Sequence, residues 1–400
     1  MPTSATFQTS ETTEGSTSLV VPLMKEPGML PAFFNPKGSF VRDVSIVCYK
    51  AYSKLFSRAN FTFADSLAGV GARGIRVANE IQSSSLVCLN DINTVSVQLA
   101  KKSAELNGVV QKCNFTNSET CSFLLSREPT HGDRFDLVDV DPFGTPSPFV
   151  ESAIRAVNDD GMLSMSATDS AVLCGVYPMV ALRKYGGAPL RTDYTHEVGM
   201  RLIFGLLAAT AMRLEIGMIP LFCHHDMHYF RTYCQVKVGN RYSRENEQRI
   251  GFVLHCFNCG FRDVIQREIF FGSSRGAAER EERKELGTQR DLCPSCSRRS
   301  LRVGGPLWIG KIQTKEFVSE CAKNSDNELL FDSEELDTPL YYDLTSLSQE
   351  MKIRTPRLQD VLAKLHEVGH PATRTRLNLQ AIRTSAPLPE IRSVVREQAL

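Results

Sequence analysis

The stretch from Phe61 to Ile81 constrains the fold more than any other part of the chain. Phe61-Thr62-Phe63-Ala64-Asp65-Ser66-Leu67 reads as a strand, Gly69-Val70-Gly71-Ala72-Arg73-Gly74 as a tight turn, and Ile75 to Ile81 as a helix. Glycines in such a turn let backbone approach a ligand closely at a helix N-terminus. The pattern then repeats. Leu86 to Leu89 reads as a strand ending in Asn90-Asp91, Val95 to Asn107 as a helix, and Asn114 to Thr116 as a short strand. A loop and helix over 117–127, a strand at Phe135–Val140, a helix over 149–157 and a strand at Met162–Ser166 follow. Strands alternating with helices predict an α/β fold, a doubly wound and mostly parallel sheet. Ligands of such sheets bind at the carboxyl ends of the strands.

Two strand ends carry acids at that edge. Asp91 lies about 20 residues beyond the glycines, where an acid takes ribose hydroxyls. Together with G-x-G-x-x-G at 69–74, it points to a nucleoside-bearing cofactor, a nicotinamide dinucleotide included. Asp141 follows the apolar run Phe135-Asp136-Leu137-Val138-Asp139-Val140 and precedes Pro142-Phe143-Gly144. Pro142 fixes φ and removes a donor, so the neighbouring carbonyls are not absorbed into helix or ladder. A carboxylate, a free carbonyl and an aromatic ring suit a flat base bearing an amino group. The competing reading is a Pro-rich turn in which Asp141 caps a helix.

Composition narrows the class. Apolar residues make up 42% and charged residues 23% of 400, as in an ordinary folded soluble chain with room for two domains. The net charge of +1 does not announce a nucleic-acid partner, so that case must rest on local patches. Residues 1–18 read as an unstructured tail and Leu19–Leu23 as a short edge strand. Phe33-Phe34-Asn35-Pro36 and Arg42-Asp43 precede a helical pattern through Val44, Val47, Cys48, Tyr52 and Leu55. They either line a ligand pocket or form a hydrophobic entry to that helix. Leu202 to Met212 is too short to span a bilayer. It reads as part of a core helix over 202–214, and with no leader pattern the expectation is a cytoplasmic protein. Met218–Cys223 and Tyr229–Val238 read as strands, the second with a basic face.

Four of the 12 cysteines are paired by spacing: Cys256-x-x-Cys259 and Cys293-x-x-Cys296. Two such pairs on tight turns can give four thiolates to one structural zinc. Redox pairs or a disulfide-prone loop are the alternatives. A charged, helix-like insert is expected over Arg275–Leu286. Further on, Lys352–Leu365 has helical periodicity after a cap at Arg354–Arg357, and Thr373-Arg374-Thr375-Arg376 alternates like an edge strand. Arg374 and Arg376 belong to a run of Arg, Lys and His that suits phosphate contact or a solvated face.

Three functions compete. A nicotinamide-dependent oxidoreductase uses the glycine turn and Asp91 but not Asp-Pro-Phe-Gly. A non-catalytic zinc-containing nucleic-acid-binding protein uses the cysteines and the basic run but leaves the doubly wound domain idle. A methyltransferase acting from S-adenosylmethionine on an exocyclic base amine uses all of these features. Asp141 and a nearby carbonyl would accept the amine's N–H bonds, and Phe143 or Phe33 would stack on the base.

The chain resembles the tRNA (guanine-26-N2)-dimethyltransferase family. The matching motifs are Phe-Phe-Asn-Pro at 33–36 with Arg42-Asp43, Gly-Ala-Arg-Gly-Ile-Arg at 71–76, Leu-Asn-Asp at 89–91 and Asp-Pro-Phe-Gly-Thr-Pro at 141–146. Ala-Thr-Asp at 167–169, His-Glu-Val-Gly at 196–199, His-Tyr-Phe-Arg at 228–231 and Gly-Pro-Leu-Trp-Ile-Gly at 305–310 follow, with Ala-Thr-Arg-Thr-Arg near the end. The resemblance implies a class I, Rossmann-like methyltransferase domain over 19–224. It implies an α+β tRNA-binding domain over 225–400 that carries the zinc site at 256–296. It implies Arg42, Arg73 and Asp91 as contacts of S-adenosyl-L-methionine, Asp141 as the catalytic carboxylate, and transfer of one or two methyls to N2 of guanosine 26 of tRNA. The family often carries Asp-Ala where Thr120-Cys121 stand, so these two are the implied adenine contacts. It often has Tyr at the position of Phe34 and His at that of Arg376. No membrane partner is implied, and a monomer is compatible with this reading.

Overall fold

The computed structural model describes residues 8–23, 31–126, 134–267 and 292–399. The insert expected over Arg275–Leu286 lies outside them. The chain forms two compact units. Unit 1 comprises Met1–Thr168, Tyr233–Val238 and Ser319–Asp326; unit 2 comprises Asp169–Thr232, Gly239–Val318 and Asn327–Leu400.

Unit 1 opens with a hairpin, β1 (Thr9–Glu14) and β2 (Thr17–Pro22), paired antiparallel around Gly15 at φ +55°. The expected tail over 1–18 is therefore corrected for its described part. Low hydrophobicity hid a strand whose threonines suit a pleated, half-buried surface. Helix α1 (Ser39–Leu55) follows, and then β3 (Phe61–Asp65), α2 (Ala72–Glu80), β4 (Ser84–Asn90), α3 (Thr94–Leu106), β5 (Cys113–Thr116) and α4 (Thr120–Leu125). The last elements of the series are β6 (Phe135–Val140), α5 (Val150–Ala156) and β7 (Val157–Ala167). Ser103 of α3 and its C-cap residue Asn107 hold the hairpin: Ser103 Oγ accepts from Val20 N at 2.9 Å and Asn107 Oδ1 from Ser18 N at 3.0 Å.

The strands of unit 1 pair in parallel as β5-β4-β3-β6-β7. All six residues of β6 are buried, as a central parallel strand requires. Register puts Asp65 opposite Leu89 on one side and Asp139 on the other. The carboxyl ends of β3, β4 and β6 thus form one row. The chain leaves β3 toward β4 and returns on its other side as β6, so β3/β6 is the topological switch point, where α/β sheets open a ligand crevice.

Unit 2 begins with α6 (Ser170–Leu173), α7 (Pro178–Tyr185) and α8 (Thr195–Met212). Two strands come next, β8 (Ile216–Asp226) and β9 (Tyr229–Val238), which complete a seven-stranded order β5-β4-β3-β6-β7-β9-β8, the last residues of β9 belonging to unit 1. After α9 (Asn240–Glu247), β10 (Ile250–Cys256), β11 (Arg262–Gln266) and β12 (Leu301–Trp308) form an antiparallel sheet of order β11-β10-β12. Helix α10 (Lys315–Ala322) crosses the unit boundary. The chain ends with β13 (Tyr342–Asp343), α11 (Leu344–Met351), α12 (Leu358–Glu367), β14 (Ala372–Thr375), β15 (Asn378–Thr384) and α13 (Leu388–Glu397). Leu344, Val361, Leu365, Ile382, Ile391 and Val395 pack the core of this last sheet and its helices.

Within unit 2, α8 packs closely on β12: a Cβ added at Gly205 would lie 3.0 Å from Leu307 Cα. Two further expectations shift. Helix α8 starts at Thr195, not 202: its first turns carry the charged Glu197 and Arg201, both fully buried, ahead of the apolar run. The helix expected over Lys352–Leu365 starts at Leu358, because Lys352 ends α11 in the left-handed region at φ +56° and Pro356 intervenes.

Candidate active site

The glycine turn sits where the sheet switches direction. Gly69 and Gly71 take φ of +54° and +81°, which side chains resist. Gly74 serves packing instead: a Cβ there would meet Leu89 Cδ2 at 2.7 Å. Asp91, just past β4, accepts from Gly69 N and Asn93 N, both at 2.8 Å. Its two oxygens lock the turn to the next strand end, and each retains a lone pair for a ligand. Ile92 beside it is 70% exposed. Sequence patterning overlooks Ile92, since an isolated Ile reads as core; only its exposure marks it.

Asp141 belongs to a chain of buried polar groups. Tyr49, fully buried on α1, donates to Asp139 Oδ2 and lies 3.2 Å from Ser164 Oγ. Asp139 Oδ1 accepts from Arg73 Nη1 at 2.7 Å, and Arg73 Nη2 donates to Asp141 Oδ2 at 2.8 Å. Arg73 and Asp139 are buried, whereas the Asp141 side chain keeps 26% of its surface. At the end of β3, Asp65 accepts from Gly74 N at 2.9 Å. Burial first, and then the Asp139 charge, push the Asp65 carboxyl up to about 7, against the pull of Arg73. Arg73 was expected as a cofactor contact, whereas Asp139 and the groups behind it were missed at the sequence level. Their signal is present in Asp139-Val140-Asp141, because residues two apart on a strand share a face.

The loop after Asp141 is clamped. Gly144, at φ +75°, donates to Thr168 Oγ1 at 2.7 Å and accepts from Thr168 N at 2.8 Å. Among the described residues no hydrogen bond is made to the Pro142 carbonyl. Phe143, 75% exposed, meets Phe33, 49% exposed, edge to face with ring centroids 4.5 Å apart. Two open aromatic rings in contact with each other therefore stand at the loop that follows the outermost carboxylate, Phe143 two residues beyond it.

The remaining cofactor candidates have other partners. The Arg42 guanidinium is bound by both oxygens of the buried Glu14 and donates to the Asn35 carbonyl at 2.9 Å. It anchors the hairpin instead of standing open. Thr120 is buried and its hydroxyl donates to the Ser66 carbonyl at 3.4 Å. Cys121 is half-buried and its thiol, raised by burial, reaches the Pro148 carbonyl at 3.6 Å. Glu119 caps α4 by accepting from Cys121 N at 2.9 Å and Ser122 N at 2.8 Å.

In unit 2, the ligating sulfurs of Cys256, Cys259, Cys293 and Cys296 all lie within 4.8 Å of one another. Cys256 Sγ is 3.7 Å from Cys296 Sγ, and Cys259 Sγ is 3.6 Å from Cys293 Sγ. A tetrahedron with Zn–S bonds of about 2.3 Å has edges of about 3.8 Å, so the four could hold one structural zinc.

The basic run is not one surface. Arg376, expected to contact phosphate, has a side chain only 1% exposed. It donates to Glu335 Oε2 at 2.6 Å, Gln313 Oε1 at 2.5 Å and the Cys223 carbonyl at 2.7 Å. That expectation is corrected: the strand pairing is irregular between Arg374 and Thr375, which breaks the alternation of Thr-Arg-Thr-Arg. Arg383 is likewise buried, between Glu335 and Glu197. Arg374 stays half-buried and has no ion-paired partner among the described residues.

The chain is similar to known proteins over nearly its whole length. A family profile described as N2,N2-dimethylguanosine tRNA methyltransferase matches residues 21–396. The tRNA (guanine(26)-N(2))-dimethyltransferase of Methanothermobacter thermautotrophicus is 33% identical over 395 residues, covering 96% of this chain and 97% of that protein. The tRNA (guanine(26)-N(2)/guanine(27)-N(2))-dimethyltransferase of Aquifex aeolicus is 30% identical over 354 residues, 85% of either chain. Among solved structures, Trm1 from Pyrococcus horikoshii in complex with S-adenosyl-L-methionine superposes with a TM-score of 0.80 at 27% identity, covering 96% of this chain and 99% of that one.

Proposed function

The chain belongs to the N2,N2-dimethylguanosine tRNA methyltransferase family, and we infer that it methylates N2 of guanosine 26 of tRNA from S-adenosyl-L-methionine. The observation that carries the chemistry is Asp141: a carboxylate at the switch point, fixed by a buried Arg73 and followed two residues on by the exposed Phe143, whose ring meets Phe33. When bound, S-adenosyl-L-methionine supplies a methyl group activated by a sulfonium and leaves as the thioether. The residues present suit it. Asp91 offers lone pairs to ribose hydroxyls, and Ile92 offers an apolar face to adenine.

The guanine amine is a poor nucleophile because its lone pair is drawn into the ring. Asp141 and the Pro142 carbonyl accept its N–H bonds, which turns the lone pair outward and stabilises the positive charge developing on nitrogen. Phe33 and Phe143 hold the base once it has left its stack. Asp141 then takes the proton released from N2 and passes it to water, since it is the one member of its polar chain open to solvent. Arg73 stays protonated throughout and keeps the carboxylate in place.

The part beyond residue 225 supplies affinity for the tRNA body, with Arg374 as its phosphate contact. Its four cysteines hold one zinc, so metal analysis should give one per chain, and replacing any one Cys with Ser should release it. Among the described residues no helix is long and apolar enough to cross a membrane. A cytoplasmic location belongs to the same reading and is checked by fractionation. The activity itself is tested by incubating tRNA with protein and S-adenosyl-L-methionine and analysing the nucleosides by liquid chromatography. N2-methyl- or N2,N2-dimethylguanosine at position 26 is the expected product; unmodified guanosine there rejects the function.

A further inference from the structure

Helix α7 and the residues before it present an apolar face to solvent. Val176, Tyr177, Met179 and Leu182 are 48%, 56%, 73% and 43% exposed. Among the described residues no other seven-residue window holds four large exposed hydrophobics. Helical spacing explains the arrangement. Met179, Leu182 and Arg183 share one face, while Ala181 and Tyr185 on the opposite face are buried. The inner face is fixed within unit 2. Tyr185 donates to Asp169 Oδ1, Lys184 lies 3.6 Å from Asp169 Oδ2, and the N–H of Gly186, in the left-handed region, closes the helix on the Leu182 carbonyl at 3.0 Å. The exposed side chains thus stand on a rigid, anchored helix rather than on a loose loop. Outward hydrophobics on such a helix call for a partner.

The charge around them says which kind. From Ser170 to Arg191 the sequence carries Arg183, Lys184 and Arg191 and no Asp or Glu. Arg183 and Arg191 are exposed and have no carboxylate partner among the described residues, and Arg191 packs beside Gly175, 3.4 Å from a Cβ added there. Lys184 is offset by Asp169, so in a chain of net charge +1 Arg183 and Arg191 remain as two exposed cations without a carboxylate partner. An aromatic ring and apolar side chains beside unpaired guanidinium groups match a nucleic acid: bases stack on the former and phosphates meet the latter.

We propose that the face formed by Val176, Tyr177, Met179, Leu182, Arg183 and Arg191 is a docking surface for the tRNA substrate, stacking on an unpaired base and contacting the flanking phosphates. This rests on the tRNA-methylating function inferred above. None of these residues belongs to the Asp141 site, so they act on substrate affinity and not on the methyl-transfer step.

The test uses the full chain and a tRNA transcript with guanosine at position 26. Tyr177→Ala/Met179→Ala should weaken tRNA binding about 5- to 100-fold through lost stacking. Arg183→Ala/Arg191→Ala should weaken it and flatten the dependence of log affinity on log salt by about 0.7–0.9 per lost phosphate contact. Both variants should keep S-adenosyl-L-methionine affinity and thermal midpoint. A photo-reactive side chain at position 179 should crosslink to the transcript. If wild type methylates the transcript while both variants bind it normally and position 179 gives no crosslink, the docking surface is rejected and the function stands. If wild type neither binds nor methylates the transcript, both fail. A change in oligomeric state in the Tyr177→Ala/Met179→Ala variant, with tRNA affinity unmoved, would assign the face to a second copy of the chain and also overturn the proposal.

Discussion

Both units bury charge, in opposite proportions. In unit 1, Asp65, Asp139 and Asp141 are gathered around Arg73. In unit 2, Glu197 and Glu335 are shared among Arg201, Arg376 and Arg383. The first cluster has a surplus of carboxylates, and its outermost member reaches solvent. The second is closed, with each of its side chains 2% exposed or less. Glu197 also accepts from Leu340 N at 2.9 Å, and Glu335 from Thr375 Oγ1 at 2.7 Å, so the network ties α8, the segment before β13 and β14 into one body. Burial of charge therefore does not mark an active site by itself. A surplus of one sign together with an opening to solvent does, because only then is a group left over for a substrate.

The largest expected effect falls on the open cluster. Asp141→Ala should lower turnover by about 10²–10⁴-fold, the range for a lost acid–base group, while tRNA and cofactor affinity persist. Full turnover in that variant would erase the distinction between the clusters. In the closed cluster the corresponding loss is of stability. Glu335→Gln leaves Arg376 and Arg383 short of their shared carboxylate and should cost about 3–5 kcal/mol in urea unfolding. An unchanged midpoint would mean that the network is dispensable.

A smaller effect separates positioning from chemistry. Asp139→Asn keeps Asp141 but loosens Arg73, and should lower kcat by about 10- to 100-fold, the scale of a misplaced reacting group, with the KM for S-adenosyl-L-methionine unmoved. A rise in that KM with kcat intact would make Arg73 a cofactor contact rather than the holder of Asp141.

The smallest effect is a matter of pH, and the two clusters should differ in sign. The Asp65 carboxyl ionises near 3.8 when unfolded and near 7 in the fold, so the folded state binds more protons in between. Its contribution to stability is full below about pH 4 and fades as pH rises to 7. Burial pushes Glu197 up, yet Arg383 and Arg201 outweigh it and hold the carboxyl down to about 2. Its contribution is present above its ordinary value of 4.5 and is lost as pH falls toward 2. Urea midpoints of Asp65→Asn and Glu197→Gln against wild type across that range should diverge in opposite directions; parallel curves would refute the assignment.

Much of unit 1 was legible because its signals are local. Period-two and period-3.6 patterns, the glycines at 69, 71 and 74 and the prolines after Asp141 act over a few residues, so the strand and helix series and the place of Asp141 at a strand end can be read directly, while the switch point waits on the strand order. The four cysteines are legible for the same reason, since spacing within each pair is a property of one turn. The first strand of the hairpin, Thr9–Glu14, was not, because a polar, threonine-rich strand is held by its pairing with the expected strand at 19–23 and by Arg42 far along the chain.

Arg374 and Arg376 show where the sequence stops. By alternation they belong on one face with one role. The irregular pairing after Arg374 and the carboxylate of Glu335 send Arg376 into the core and leave Arg374 at the surface. Arg73 is the parallel case in unit 1: its place in the glycine turn is written in the sequence, while its hold on Asp139 and Asp141 exists only because register sets β3 beside β6. The sequence by itself determined which elements form and which residue types gather at the strand ends. Only the tertiary structure decided which charges meet, because an ion pair depends on distances between residues remote in sequence, and no local pattern encodes them.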